Sequence, residues 1–133
     1  MIEAMASRAS PSTIAKRRAR LVTSALALPE VVAEGEQHVG FSVRKKRFAW
    51  LVQDHHGDGR VALHCKAEPG TNAGLAQAYP DRFHVPAYVG KQGWLGLWLD
   101  LPGIDWDEVA EVLRDAHRLA APASLRAKLD KNR

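Results

Sequence analysis

The sequence contains a single cysteine, Cys65, so it cannot form an internal disulfide. The fold must then rely on its hydrophobic core, as is typical of proteins in a reducing compartment. Long apolar runs are also missing. The longest candidate, which follows the basic residues 16–20, is interrupted by Pro29 and then by Glu30. Such a run is too short to span a bilayer, and it favours a cytoplasmic helix over a secretory signal.

The chain also lacks any familiar catalytic signature. Nucleophile-elbow, zinc-protease and dinucleotide-binding patterns are absent from the sequence. The GDG segment (57–59) and the GKQG segment (90–93) fall in predicted turns, not between a strand and a helix, so they are not phosphate loops. We therefore expect a protein that is not an enzyme and that requires no cofactor.

The segment Asp54–Asp58 contains residue types that bind metals, including two adjacent histidines. Neighbouring histidines on a flexible turn rarely converge on one ion, and no second Cys or His pair has metal-site spacing. His64 next to Cys65 resembles a thiol–imidazole pair, but alternation along a strand sends the two side chains to opposite faces. We expect no metal site and a buried, inert thiol.

Positive charge is concentrated at the two ends of the chain. The first twenty residues carry five cations against one acid, residues 21–113 carry eight against twelve, and residues 114–133 carry six against two. The high overall pI therefore says little about the body of the protein. A hydrophobic content of 46% and a charged content of 26% are ordinary for one globular domain of this length.

The first element is a predicted helix that begins at Ser10-Pro11, with serine as the N-cap and proline in the first turn. Arg18 falls on its apolar stripe, so we expect the helix to pack only from Leu21 onward. On this interpretation residues 1–20 form a basic N-terminal arm and the start of the helix. Residues 21–133 form a single α+β domain.

A three-stranded antiparallel meander is predicted from the register of apolar residues. If the chain turns around Arg44–Arg47, through a two- or four-residue loop, Val43 lies opposite Phe48 and Phe41 opposite Trp50. A second turn at 54–59 extends the same face. That face would hold eight apolar side chains: Phe41, Val43, Phe48, Trp50, Val52, Val61, Leu63 and Cys65.

A second hairpin is predicted to close at the GKQG segment. It would pair Val89 with Trp94 and Val85 with Trp98, and Pro86 would confine its first strand to a sheet edge. The two tryptophans either pack as core or form an open platform on which single-stranded bases stack.

Helices are predicted at residues 71–79 and from Asp105 to Pro122, with a last turn or short helix carrying Leu125 and Leu129. This order of elements predicts an α+β fold. We expect one antiparallel sheet with helices packed on one face and two projecting hairpins.

From about Leu28 to Leu129 the chain resembles the MmcQ/YjbR-like family of small bacterial proteins. The stretches that carry the resemblance are LPE (28–30), FSVRKKRFAWLV (41–52), YPDRFHVPAYVGKQGWLGLWLD (79–100) and DWDEVAEVLRDAHRLAAP (105–122). The resemblance implies a frataxin-like, double-wing fold and DNA binding. Iron delivery, which a frataxin-like fold also suggests, is disfavoured because the first helix is basic. His117 stands where this family usually has tyrosine.

The basic cluster in the first hairpin is the strongest candidate site. Four cations on one tip of a net-acidic body suggest contact with nucleic-acid phosphates. The predicted set of contacts is Arg44, Lys45, Lys46 and Arg47 with Lys91, assisted by Lys16, Arg17 and Arg20. We expect a monomer that binds DNA and no membrane. The alternatives are a protein-interaction or structural domain, and a protein that binds a small molecule between its sheet and helices.

Overall fold

The computed structural model describes residues 8–131, apart from the side chain of His56. Residues 1–7 of the predicted arm lie outside this range. The helices are α1 (Pro11–Leu26), α2 (Thr71–Ala78), α3 (Trp106–Ala120) and α4 (Ala123–Lys131). The strands are β1 (Val31–Glu34), β2 (Val39–Val43), β3 (Lys46–Gln53), β4 (Val61–Cys65), β5 (Phe83–His84) and β6 (Leu95–Trp98). All neighbouring strands are antiparallel, in the order β1-β2-β3-β4-β6-β5.

The predicted α+β architecture is confirmed. A single hydrophobic cluster joins the helices to one face of the sheet. Its fully buried members include Leu21, Phe41, Phe48, Leu51, Leu63, Cys65, Leu99 and Leu113. We call the opposite face of the sheet, which carries Trp50, His64 and Trp98, the outer face.

Helix α1 begins as predicted but packs earlier than predicted. The Ser10 hydroxyl accepts a hydrogen bond from the Thr13 backbone N–H, and Pro11 occupies the first turn. Ile14 is only 7% exposed, so the expectation that packing starts at Leu21 is wrong. Arg18 does not prevent packing, because its guanidinium reaches the loop after β1 and donates to the Glu36 carbonyl at 2.6 Å. A long arginine stem can lie along apolar surface while its charged end finds polar partners.

The predicted meander of β2, β3 and β4 is present, but the β2–β3 register differs from the predicted one by two residues at the turn and by one residue beyond a bulge. The turn consists of Arg44 and Lys45, both with positive φ (48° and 69°), as a two-residue hairpin turn of the type I′ class requires. Val43 therefore faces Lys46 instead of Phe48. Further along, Phe41 faces Ala49, because a β-bulge intervenes. A bulge adds one residue to one strand and re-aims the side chains around it.

The bulge decides which aromatic side chain enters the core. Phe48 is fully buried, and its ring meets that of His117 on α3 edge-to-face at 5.4 Å. Trp50 pairs with Gly40 on one side and His64 on the other, so it lies on the outer face rather than opposite Phe41. The predicted inward positions on β4 hold, since Val61, Leu63 and Cys65 all join the core. Val52 belongs to the outer face with Trp50, contrary to the prediction.

The second hairpin is shorter than predicted. β5 contains only Phe83 and His84, which pair with Leu97 and Gly96 of β6. Val89–Trp94 and Val85–Trp98 are not strand pairs, because Val89–Gln92 is a 3₁₀ turn. Val89 and Trp94 still meet across this turn, where the Trp94 backbone N–H donates to the Val89 carbonyl at 3.3 Å. β5 is an edge strand, as the proline at 86 indicated.

Helix α3 has the predicted start and apolar stripe. The Asp105 carboxylate accepts hydrogen bonds from the backbone N–H groups of Asp107 and Glu108, which caps the helix. His117 is 1% exposed, and its Nε2 lies 2.8 Å from the Pro29 carbonyl, to which it donates. The imidazole therefore ties α3 to the chain between α1 and β1. The predicted last helix is present as α4, and its Leu125 is buried in the core.

Candidate nucleic-acid interface

Two turns that were predicted as contact points lie at the same end of the sheet. The strand order and antiparallel pairing place the β2–β3 turn (Arg44-Lys45) and the β5–β6 turn (Val89–Gln92) at that end. Three strand spacings separate the midpoints of the two hairpins. At about 4.8 Å per spacing this is a distance of about 14 Å.

Two of the four cations in the predicted cluster, Arg44 and Arg47, contact neighbouring side chains. Arg44 donates from Nε and Nη2 to both carboxylate oxygens of Glu30, at 2.5 and 2.9 Å. These hydrogen bonds lower the pKa of the Glu30 carboxyl. Arg47 lies on the outer face, with its guanidinium 4.4 Å from the Trp50 ring centre and Nη2 3.6 Å from a Glu34 carboxylate oxygen. Lys45 and Lys46 are exposed and take part in no ion pair within residues 8–131.

The second turn supplies Lys91, which is also exposed. Lys66, which directly follows β4, stands at the same end of the sheet between the two turns. Its ammonium lies 5.8 Å from the Trp94 ring centre. Lys66 was not among the residues predicted from the sequence. Its position directly after a predicted strand was a usable signal, because it places the lysine at the same end of the sheet as the two turns.

The helical cations predicted to assist lie elsewhere. The amino-terminal half of α1 contacts the opposite end of the sheet, where the Ala9 backbone N–H donates to the Asp100 carbonyl at 2.8 Å. Arg17 donates to the carbonyls of Leu99 and Leu101. Arg20 places its guanidinium 4.4 Å from the Trp106 ring centre. Lys16 is exposed, but it shares this half of the helix. The structure thus does not bring Lys16, Arg17 and Arg20 together with the hairpin lysines.

Neither tryptophan of the second hairpin forms an open platform. Trp94 is only 6% exposed. Trp98 is flanked by the Arg60 guanidinium, 3.7 Å from its ring centre, and by the His84 ring, 3.8 Å away and nearly parallel. Arg60 is itself fixed by two hydrogen bonds to the Asp100 carboxylate, at 2.8 and 3.0 Å.

Asp100 is a buried carboxylate that stays ionised. It is 3% exposed, and besides Arg60 it accepts a hydrogen bond from the Val61 backbone N–H at 3.0 Å. Burial raises the pKa of Asp100, but the hydrogen bonds from Arg60 and Val61 outweigh it and hold the pKa below its ordinary value. The ion pair between Arg60 and Asp100 joins the residues just before β4 to those just after β6, so its role is structural.

A groove of about 620 Å³ lies between the sheet and helices α2, α3 and α4. Leu75, Phe83 and Leu95 line its apolar floor, and charged side chains such as Glu111 and Arg126 line its sides. Its volume falls within the range of about 300–1,000 Å³ that is usual for small-molecule sites. The groove is the place where the small-molecule alternative would act.

Cys65 is a buried thiol, as predicted. It is fully buried, and burial, with a smaller contribution from the Asp115 carboxylate, raises its pKa to about 12. His64 points to the other face of the sheet. The thiolate is therefore essentially absent at neutral pH, and the residue cannot act as a nucleophile in the folded state.

No helix within residues 8–131 is long and apolar enough to cross a membrane.

Comparison with known proteins supports both the family resemblance and the fold. The YjbR family model matches residues 26–119. No match to a curated protein was found. Among solved structures, the chain is similar to the crystal structure of Deinococcus radiodurans protein DR2400, which is assigned to the domain family DUF419. The TM-score is 0.64 and the sequence identity 21%, over 83% of this chain and 85% of that one. At this identity the likeness shows a shared fold.

Proposed function

The chain belongs to the YjbR family, and we propose that this member is a non-enzymatic protein that binds duplex DNA through its phosphates. The contacts are made by Lys45 and Lys46, in the β2–β3 turn and directly after it, and by Lys91 in the β5–β6 turn. The observation that carries the proposal is that these three exposed lysines lie at one end of the sheet, in two separate hairpins.

The spacing of the two turns suits a duplex. Their separation of about 14 Å is close to the width of the major groove, about 12 Å, so each turn can reach the backbone on one side of it. Lys66 lies at the same end of the sheet between the two turns, where its ammonium is near Trp94. Phosphate contacts position a protein on the duplex but read no bases. We therefore expect affinity without sequence preference.

Three phosphate contacts set a definite salt dependence. The logarithm of the affinity should fall with the logarithm of the salt concentration at a slope of about −2.7. An increase from about 50 to about 200 mM salt then weakens binding about 40-fold. Had all four hairpin cations been available, the slope would have been steeper; the Arg44–Glu30 and Arg47–Trp50 contacts reduce it.

The test is fluorescence anisotropy of a labelled duplex, at several salt concentrations, with single charge-reversal variants. Lys45→Glu and Lys46→Glu should each weaken binding and reduce the salt slope by about 1. Lys16→Glu is the matched control, because it makes the same change of net charge on an exposed lysine at the other end of the fold. It should leave both quantities nearly unchanged.

Two results would contradict the proposal. One is equal loss of affinity in Lys16→Glu and in Lys46→Glu, which would mean general electrostatics without a defined surface. The other is the absence of duplex binding at low salt at tens of micromolar protein.

A small-molecule function is the second candidate, because the groove between the sheet and helices has the volume of a ligand site. This second function makes a different prediction. Leu75→Trp would fill the groove between the sheet and the helices and abolish binding of a small ligand there. The same substitution would leave duplex binding unchanged.

A further inference from the structure

Two histidines meet on the outer face across three strands. His64 on β4 and His84 on β5 both pair with Gly96 on the strand between them. Because Gly96 has no side chain, the two imidazoles close over it. A Cβ at Gly96 would lie 2.3 Å from Nε2 of His84. The two Nε2 atoms are 3.3 Å apart.

This distance is what two ligands of one tetrahedral metal ion require. With a Zn–N bond of about 2.0–2.1 Å and a tetrahedral angle, two ligating nitrogens lie about 3.3–3.4 Å apart. As a hydrogen bond the same contact is long, since N–H donors usually approach acceptors to about 2.7–3.2 Å.

A metal ion binds an imidazole nitrogen that carries no proton, so binding through Nε2 requires a neutral ring with its proton on Nδ1. Burial of both rings lowers the pKa of His64 and of His84 and thereby favours the neutral form.

The surroundings hold one ring in place and leave room beside the pair. His84 stacks on Trp98 with the ring planes 19° apart. Its Nδ1 is buried and has no hydrogen-bond partner within the described chain. A cavity of about 190 Å³ adjoins the two rings, and His55 and Asp58 also line it. The charge of Arg60, which lines the same cavity, is compensated by Asp100.

We propose that His64 and His84 bind a divalent transition-metal ion such as Zn²⁺ through their two Nε2 atoms, with water completing the coordination. Within residues 8–131 no three or more His, Cys, Asp or Glu side chains converge on one point, which is why water takes the remaining positions. The ion ties the two-residue edge strand β5 to β4 across β6. It thereby stabilises the strand from which the Lys91 turn departs.

The experiment is isothermal titration of the untagged full chain with Zn²⁺, repeated with Mg²⁺. Zn²⁺ should bind with a stoichiometry of one, and Mg²⁺, which prefers oxygen ligands, should not. His64→Gln and His84→Gln should each weaken zinc binding at least tenfold. Gly96→Ala should do the same while both histidines are retained, because the new Cβ occupies the space in which the rings meet. Circular dichroism checks that each variant is folded.

The control is His55→Gln, which changes a histidine of the neighbouring turn. It should alter zinc affinity by less than threefold. Zinc binding that is lost in His55→Gln but kept in His64→Gln would place the ion on the turn and overturn the proposal. No zinc uptake up to about 1 mM would show that the contact is a histidine–histidine hydrogen bond, and would overturn it as well.

Unfolding supplies a second readout. An ion that binds only the folded state raises the folding equilibrium constant about 100-fold at a concentration 100 times its Kd. Wild type should show this shift in urea, whereas Gly96→Ala should not. An equal shift in both proteins would contradict the assignment to the pair.

Discussion

Truncation of Phe48 should destabilise this protein more than truncation of the larger Trp50. Phe48 is fully buried and packs edge-to-face on His117. Replacing a buried phenylalanine with alanine costs about 3–5 kcal/mol, because apolar burial is lost and a cavity remains. Trp50 lies on the outer face, where it is partly exposed and stacked by Arg47. An exposed cation–π contact of this kind contributes about 0.5–1 kcal/mol, so with its partial burial we expect a cost of about 1–2 kcal/mol.

The measurement is urea unfolding of wild type, Phe48→Ala and Trp50→Ala, followed by far-UV circular dichroism. With an m-value of about 1.5 kcal/mol per molar, a difference of about 2 kcal/mol separates the two variant midpoints by about 1.3 M. Circular dichroism is preferred to fluorescence, since Trp50→Ala removes a fluorophore.

Phe48→Leu serves as the matched control for cavity formation. It keeps most of the apolar volume and should cost less than about 1.5 kcal/mol. If Trp50→Ala proved as costly as Phe48→Ala, the two side chains would share the core. The bulge between β2 and β3 would then be wrong, and the simpler register with Phe41 opposite Trp50 would replace it.

Two further predictions concern buried titratable groups. A thiol reagent should label Cys65 only after denaturation, because the thiol is fully buried and its pKa is about 12; rapid labelling of native protein at neutral pH would contradict this placement. His64 has a pKa of about 4 in the fold against an ordinary 6.5, so the stability that its neutral form provides above pH 6.5 should fall as the pH drops toward 4. In His64→Gln the unfolding free energy should depend less on pH between about 6.5 and 4, which urea unfolding at several pH values would measure. If the pH dependence were the same in wild type and variant, burial of His64 in its neutral form would be refuted.

Elements set by local chemistry could be predicted from the sequence. Ser10 and Asp105 mark the starts of α1 and α3 because each side chain bonds backbone N–H groups two or three residues away. The strand register could not be predicted in the same way. It depends on a bulge that turns Phe48 toward His117, a residue distant in sequence. Apolar alternation alone favoured the unbulged pairing.

The candidate site was predictable only in part, for a related reason. Lys45, Lys46 and Lys91 are exposed because a turn leaves its side chains in solvent, and turns are local features. The partners of Arg44 and Arg47 come from β1 and the residue before it, a strand that the sequence reading did not include. The histidine pair remained hidden because its members are twenty residues apart and belong to strands that do not pair with each other.

The contacts of α1 bear on where the folding unit starts. The family model begins at residue 26, so almost all of this helix precedes the matched segment. Yet Leu21 and Ala25 are fully buried. Arg17 donates to three carbonyls of the connection between β6 and α3, those of Leu99, Leu101 and Pro102. The Asp100 carbonyl accepts a hydrogen bond from the Ala9 backbone N–H. A truncation made at the family boundary would strip this cover from the sheet and leave those carbonyls to water. We therefore expect a fragment that folds on its own to need α1 and the contact of Ala9, about one helix upstream of the segment that the family model matches.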